Sequence, residues 1–140
     1  MARVKLILPD NFKFSTQLEV RITDINYGGH LGNDSVLGII HEARIRLLAD
    51  KSFTEQDIDG VGIIMADSVI LYTSEGLYGD KLRIDVAVDD ISNKGCDIYY
   101  HIVNISNQKI IVKAKTNIVF YNYTSKKLAR TPEIFLNTFK

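Results

Sequence analysis

The chain lacks several things, and each absence excludes something. One cysteine, Cys96, stands in 140 residues. No internal disulfide can form, so a reducing compartment, the cytoplasm, is expected. Neither sign of charge is in excess, with 17 Lys and Arg against 17 Asp and Glu. Without a net field, neither nucleic acid nor an anionic membrane surface is an expected partner. No apolar run approaches the roughly 18 residues that a bilayer span needs. The short apolar run near the start is cut by Pro9 and followed by no small-residue cleavage site, so no signal peptide is expected. There is no linker, repeat or low-complexity stretch. The sequons at Asn33, Asn104 and Asn122 are read as chance matches.

What is present, 46% hydrophobic and 24% charged residues, fits one globular domain over residues 1–140 with one core. Gln17 to Thr23 alternates, with Leu18, Val20 and Ile22 on one face, and predicts a half-buried strand. Asn33 to Ala49 has helical spacing: Val36, Ile40, Ala43 and Leu47 form a stripe flanked by Leu37, Arg44 and Leu48. Asn33 or Asp34 can cap its start. Ile39 and Ile45 outside the stripe predict a central helix buried on more than one side. Thr54 and Asp57 can cap a single turn before Asp59-Gly60. Strands are then expected at Val61–Thr73, Lys81–Ile91, Cys96–Ile105 and Lys109–Tyr123. The connections are short, so consecutive strands are expected to pair as antiparallel hairpins. Thr131-Pro132-Glu133 opens a short last helix.

One helix cannot cover both faces of such a sheet. The simplest solution is an α+β fold, a twisted antiparallel sheet wrapped around the helix. Strands as long as Lys109–Tyr123 invite pairing with a second subunit.

Chemistry concentrates at Asp24-Ile-Asn26-Tyr-Gly28-Gly29-His30-Leu-Gly32-Asn33, between the first strand and the helix. Glycines let backbone approach a ligand, and a helix start offers unpaired N–H groups and a positive dipole end. These are the parts an oxyanion site needs.

This segment, with Glu42-Ala43-Arg44 on the helix, Tyr72, Tyr78-Gly79-Asp80, Phe120-Tyr121-Asn122-Tyr123 and Pro132-Glu133, resembles the hotdog-fold acyl-CoA thioesterases. The similarity is to the branch that includes 4-hydroxybenzoyl-CoA thioesterase, whose motif runs D-x-D-x-x-G-H-V-N-N. The resemblance implies a hotdog fold assembled as a homodimer or homotetramer. It implies hydrolysis of an acyl-CoA to free acid and coenzyme A, the latter as part of the substrate, with no metal or redox cofactor. It also marks a departure: Asn26 stands where the family's usual catalytic acid stands, and Gly32 where its first Asn stands. An amide cannot act as a general base at neutral pH, but it can orient water or donate to a carbonyl. The alternative is therefore a non-catalytic acyl-CoA binding module. Hydration or dehydration of acyl-thioesters needs a His and an acid in a pattern the chain lacks.

Several residues are candidates for the site. Gly29, Gly32 and Asn33 offer backbone donors to the thioester carbonyl, the competing role of Asn33 being to cap the helix. Asp24, two residues before Asn26, shares its face if the segment is extended; it activates water or fixes the turn. His30 polarises the carbonyl, moves a proton or pins the loop. Glu42 either serves the chemistry or pairs with Arg46. Asp67 interrupts an apolar strand, and either enters a site across a subunit interface, on His30 or a water, or faces solvent. Lys126, Lys127 and Arg130 meet coenzyme A phosphates or form a solvated tail. Cys96 is read as a packing residue. His41 and His101 have no metal-site spacing.

Overall fold

The protein is described by a computed structural model over residues 3–140. In chain order it has β1 (Phe14–Glu19), a 3-10 turn (Ile22–Asp24), α1 (Asn33–Asp50) and β2 (Gly62–Tyr72). β3 (Lys81–Ser92), β4 (Gly95–Asn104), β5 (Ile110–Asn122), β6 (Lys127–Ala129) and α2 (Glu133–Phe139) follow. The strands form one antiparallel sheet in the order β1-β3-β4-β5-β2, with β6 on the end of β5. This is the expected hotdog architecture, a sheet against one long helix.

Alternation builds the core. Val112, Ala114, Thr116, Ile118 and Phe120 of β5 are buried, and the residues between them are only partly so. The apolar members of that set share one cluster with Val36, Ile39, Ile40, Ala43, Leu47 and Leu48 of α1. Burying each such aliphatic side chain stabilises by roughly 1.5–3 kcal/mol. The buried arc of α1 is thus wider than one stripe and includes Ile39, whereas Leu37 and Ile45 stay partly exposed. At the other end, Phe135 of α2 packs edge-on against Phe120, with Phe53 and Phe139 beside it.

Four expectations are corrected. The first strand lies earlier than Gln17–Thr23, and Ile22 is exposed in the 3-10 turn. The cause is turn chemistry: the Asp24 carboxylate accepts the Arg21 N–H at 2.9 Å, which closes the turn against the alternating pattern. No helical turn forms after Thr54; its hydroxyl accepts the Asp57 N–H and holds a simple turn. A further strand, β6, follows β5, where the sequence suggested only a basic tail.

The fourth correction bears on function. β3–β4 and β4–β5 are hairpins, but β2 and β3 do not pair. β2 is an edge strand on β5, while β3 sits between β1 and β4, so residues 73–80 cross the end of the sheet. Its backbone groups find partners elsewhere. The Gly76 carbonyl accepts the Leu31 N–H at 2.8 Å, and Gly79 and Asp80 exchange bonds with Val20. The crossing thus runs beside the loop that precedes α1. The edge strand β2 leaves Ile64, Val69 and Leu71 partly exposed.

Candidate active site at the start of the long helix

Asn26 organises the loop before α1. Its Oδ1 accepts the N–H groups of Gly28 (2.9 Å) and His30 (3.2 Å). Its own N–H donates to the His30 carbonyl at 2.8 Å, and its carbonyl accepts the Gly29 N–H at 3.0 Å. Gly29 turns the chain with φ of 81°, a conformation that suits glycine. Two donors on one oxygen identify it as oxygen. The amide nitrogen, Nδ2, is then the free end of the side chain, and among the described residues it has no hydrogen-bond partner.

These bonds decide which backbone donors remain. The Gly29 N–H is taken by Asn26, and the Gly32 N–H by the Asp24 carbonyl at 2.9 Å. Neither glycine can offer the donor expected of it in this conformation. The helix cap is Gly32, which has no side chain to bond the first turn, so neither Asn33 nor Asp34 acts as a side-chain cap. Among the described residues the N–H groups of Asn33 and Asp34 have no partner. They form an uncapped, positive helix end.

A cleft of about 270 Å³ opens there. Asn26, His30 and Asn33 line it, with Tyr72 from the end of β2 and Glu75 from the crossing. Leu31, Val36, Ile111 and Val112 give it an apolar wall. His30 Nε2 lies 2.8 Å from a Glu75 carboxylate oxygen. The Tyr72 hydroxyl reaches the Asn33 carbonyl at 3.5 Å. Sequence reasoning missed Glu75 as a site residue, reading Glu75-Gly76 as a hairpin turn. A polar residue beside a glycine carries no signal of the crossing that brings it to His30.

The other candidate acids lie elsewhere. Asp24 is buried and takes the Arg21 guanidinium as well as its N–H. Being in a turn, it does not share a face with Asn26: it lines a second groove, on the other side of the helix start. Glu42 lines that groove too and pairs with Arg46 at 2.9 Å, the i,i+4 partner. Asp67 stands opposite Asn117, on the sheet face away from the core, and pairs with Lys115 at 2.7 Å, not with His30. Within the single chain the structure therefore brings together Asn26, His30 and Asn33, and places Asp24, Glu42 and Asp67 elsewhere.

Deeper in the molecule, among the described residues, every fully buried side-chain N or O atom has a hydrogen-bond partner. Arg44, on the buried side of α1, donates to Glu55 (2.7 Å) and to the Tyr100 hydroxyl (3.2 Å), which also meets Thr116 at 2.9 Å. His41 reaches the other Glu55 oxygen at 2.7 Å. Burial works to raise the Glu55 pKa, but the bonds from Arg44 and His41 outweigh it and hold the carboxyl below its ordinary value. Cys96 is buried, and burial pushes its thiol up, away from reactive thiolate. Among the described residues no group of three or more His, Cys, Asp or Glu is placed to hold a metal ion. No helix among them is long and apolar enough to cross a membrane.

Comparison with solved structures places this architecture among hotdog thioesterases. A 1,4-dihydroxy-2-naphthoyl-CoA thioesterase from Synechocystis superposes with a TM-score of 0.82 at 19% identity, over 90% of this chain and 94% of that one. A gentisyl-coenzyme A thioesterase gives 0.80 at 14%, over 91% and 100%. A DHNA-CoA thioesterase from Staphylococcus aureus gives 0.78 at 17%, over 89% and 84%. At these identities the likeness establishes the fold. A comparison with curated proteins finds no match. The family is established by the sequence itself: residues 20–139, from the end of the first strand through the last helix, match the family model, and the chain belongs to the thioesterase-like superfamily.

Proposed function

We propose that this protein hydrolyses an acyl-CoA thioester to the free acid and coenzyme A. The observation that carries the reading is the uncapped start of α1, whose Asn33 and Asp34 N–H groups have no partner beside an apolar-walled cleft. A thioester carbonyl placed there gains donors that strengthen as its oxygen turns anionic, and one such donor is typically worth roughly 100-fold to 1,000-fold in rate. The free Nδ2 of Asn26 adds a third donor, for the carbonyl or the attacking water. The acyl group lies against Leu31, Val36, Ile111 and Val112. A second copy, paired along the exposed edge of β2, closes the open side, so the working unit is at least a homodimer.

The test is a panel of aliphatic acyl-CoAs of increasing length, with benzoyl-CoA, read by release of free thiol. Turnover of one member above the uncatalysed rate is the expected result. Asn26 favours a second reading, an acyl-CoA binding module, because its only free polar atom is a donor. Tight binding with no thiol release from any member is the result that reading expects.

A further inference from the structure

We propose that His30 is the general base of this cleft and that Glu75, from the β2–β3 crossing, is its positioning residue. The inference rests on the thioesterase reading and supplies the proton acceptor that Asn26 cannot be. The titratable side chains lining the cleft are His30, Tyr72 and Glu75. Asp24, Glu42 and Asp67 each already face a cation, Arg21, Arg46 and Lys115. Tyr72 offers a hydroxyl that already carries its proton, and the Glu75 carboxylate is turned onto the imidazole at 2.8 Å, which leaves the imidazole as the group suited to take a proton from water.

The pair is held by backbone on both sides. His30 sits in the loop closed by Asn26, its N–H and carbonyl both bonded. Its neighbour Leu31 donates to Gly76, the neighbour of Glu75, at 2.8 Å. A Cβ added to Gly76 would lie 3.2 Å from the Leu31 Cβ, so the two loops touch. Beyond Glu75, the N–H groups of Thr73 and Ser74 are anchored on the Ile111 carbonyl. The side chains stay about half or more exposed, His30 48% and Glu75 65%, so water reaches them. A pair this exposed adds little stability. Its fixed backbone points instead to a task for the side chains.

The Glu75 carboxylate lies 2.8 Å from Nε2, a contact that favours the proton on that nitrogen and leaves the Nδ1 lone pair as the base. Among the described residues Nδ1 has no hydrogen-bond partner. As water attacks the thioester carbon, its proton passes to Nδ1, and the C=O electron pair moves to the oxygen held by Asn33 and Asp34. When the carbonyl re-forms, the C–S bond breaks and the sulfur takes the proton back from the imidazolium. Acid and thiol leave, and the histidine is neutral again.

The experiment uses the full chain and the acyl-CoA panel, with the wild type, His30→Gln, His30→Ala, Glu75→Gln and Glu75→Asp, each checked for folding by circular dichroism. We expect His30→Gln to lower kcat about 100-fold or more with KM changed less than threefold. The acid limb of the wild-type pH–rate profile should vanish with it. Added imidazole should restore several-fold the turnover of His30→Ala. Glu75→Gln should lower kcat about tenfold and displace the acid limb, and Glu75→Asp should recover part of the loss. If His30→Gln and Glu75→Gln keep the wild-type kcat and pH profile on a substrate the wild type hydrolyses, the pair is not the base, and the thioesterase reading stands. A wild type that hydrolyses no member of the panel removes that reading, and the pair with it.

Discussion

Two grooves flank the start of α1, and both are lined by acids, yet they are opposite in kind. In the groove of Asp24 and Glu42 both of these carboxylates meet an arginine, Arg21 or Arg46, and Arg46 goes on to bond Thr16 and the Gln17 carbonyl of β1. Its charges tie the chain together. In the groove of Asn26 and Glu75, the carboxylate meets only a histidine, and the amide nitrogen of Asn26 and the backbone N–H of Asn33, with that of Asp34 beside it, have no partner among the described residues. Counting acids would favour the first groove. Counting open donors favours the second, because a helix start without a side-chain cap offers its N–H groups and the positive end of its dipole to a ligand.

The variants that separate the grooves most sharply act on the second. Asn26→Asp keeps an oxygen for the Gly28 and His30 N–H groups but replaces the free donor with an anion. Turnover should fall about 100-fold, the scale of one lost donor at an oxyanion. A rise in kcat would mean that this position wants a base and that His30 is not it. The buried network under α1 gives the next effect. Glu55→Gln leaves the Arg44 charge unanswered and should cost about 2 kcal/mol, read from denaturant unfolding at neutral pH, with little change in turnover. Its pH dependence has a definite sign. The folded pKa is depressed, so the stabilisation is present above about pH 4.5, the ordinary value, and is lost as pH falls through the folded value. The variant should therefore approach the wild type in acid.

The first groove should respond through stability alone. Asp24→Asn weakens the turn that Arg21 closes and should cost about 1 kcal/mol, with kcat within threefold of the wild type. Glu42→Gln removes an exposed i,i+4 pair and should cost about 0.3–0.5 kcal/mol with no change in kcat. A tenfold loss of kcat in either, with folding intact, would move the chemistry to that groove.

The sequence made the fold legible because the fold follows from periodicity. The alternation of β3 and β5 and the helical spacing of Val36, Ile40, Ala43 and Leu47 are local patterns, and they survived almost to the residue. The loop motif was legible for a similar reason, since glycines, Asn26 and His30 stand within ten residues. What was hidden is non-local. Nothing in Ser74-Glu75-Gly76 says that β2 leaves the sheet at one edge and that the chain re-enters between β1 and β4. Hairpin turns and crossings use the same polar residues, so Glu75 passed for a turn. The helix cap was misread because Asn33 is a good capping residue, but in the fold it is the first helical residue, and Gly32 takes the cap. Asp67, on the outer face of an edge strand, pairs within the chain with Lys115.

One measurement bears on all of this directly: a crystal structure of the protein with a non-hydrolysable acyl-CoA analogue in which a methylene ketone replaces the thioester. The account predicts the ketone oxygen within about 3.2 Å of the Asn33 amide nitrogen, with the acyl group against Val36 and Val112. A ketone oxygen lying in the other groove, beside Asp24 and Glu42, would contradict it.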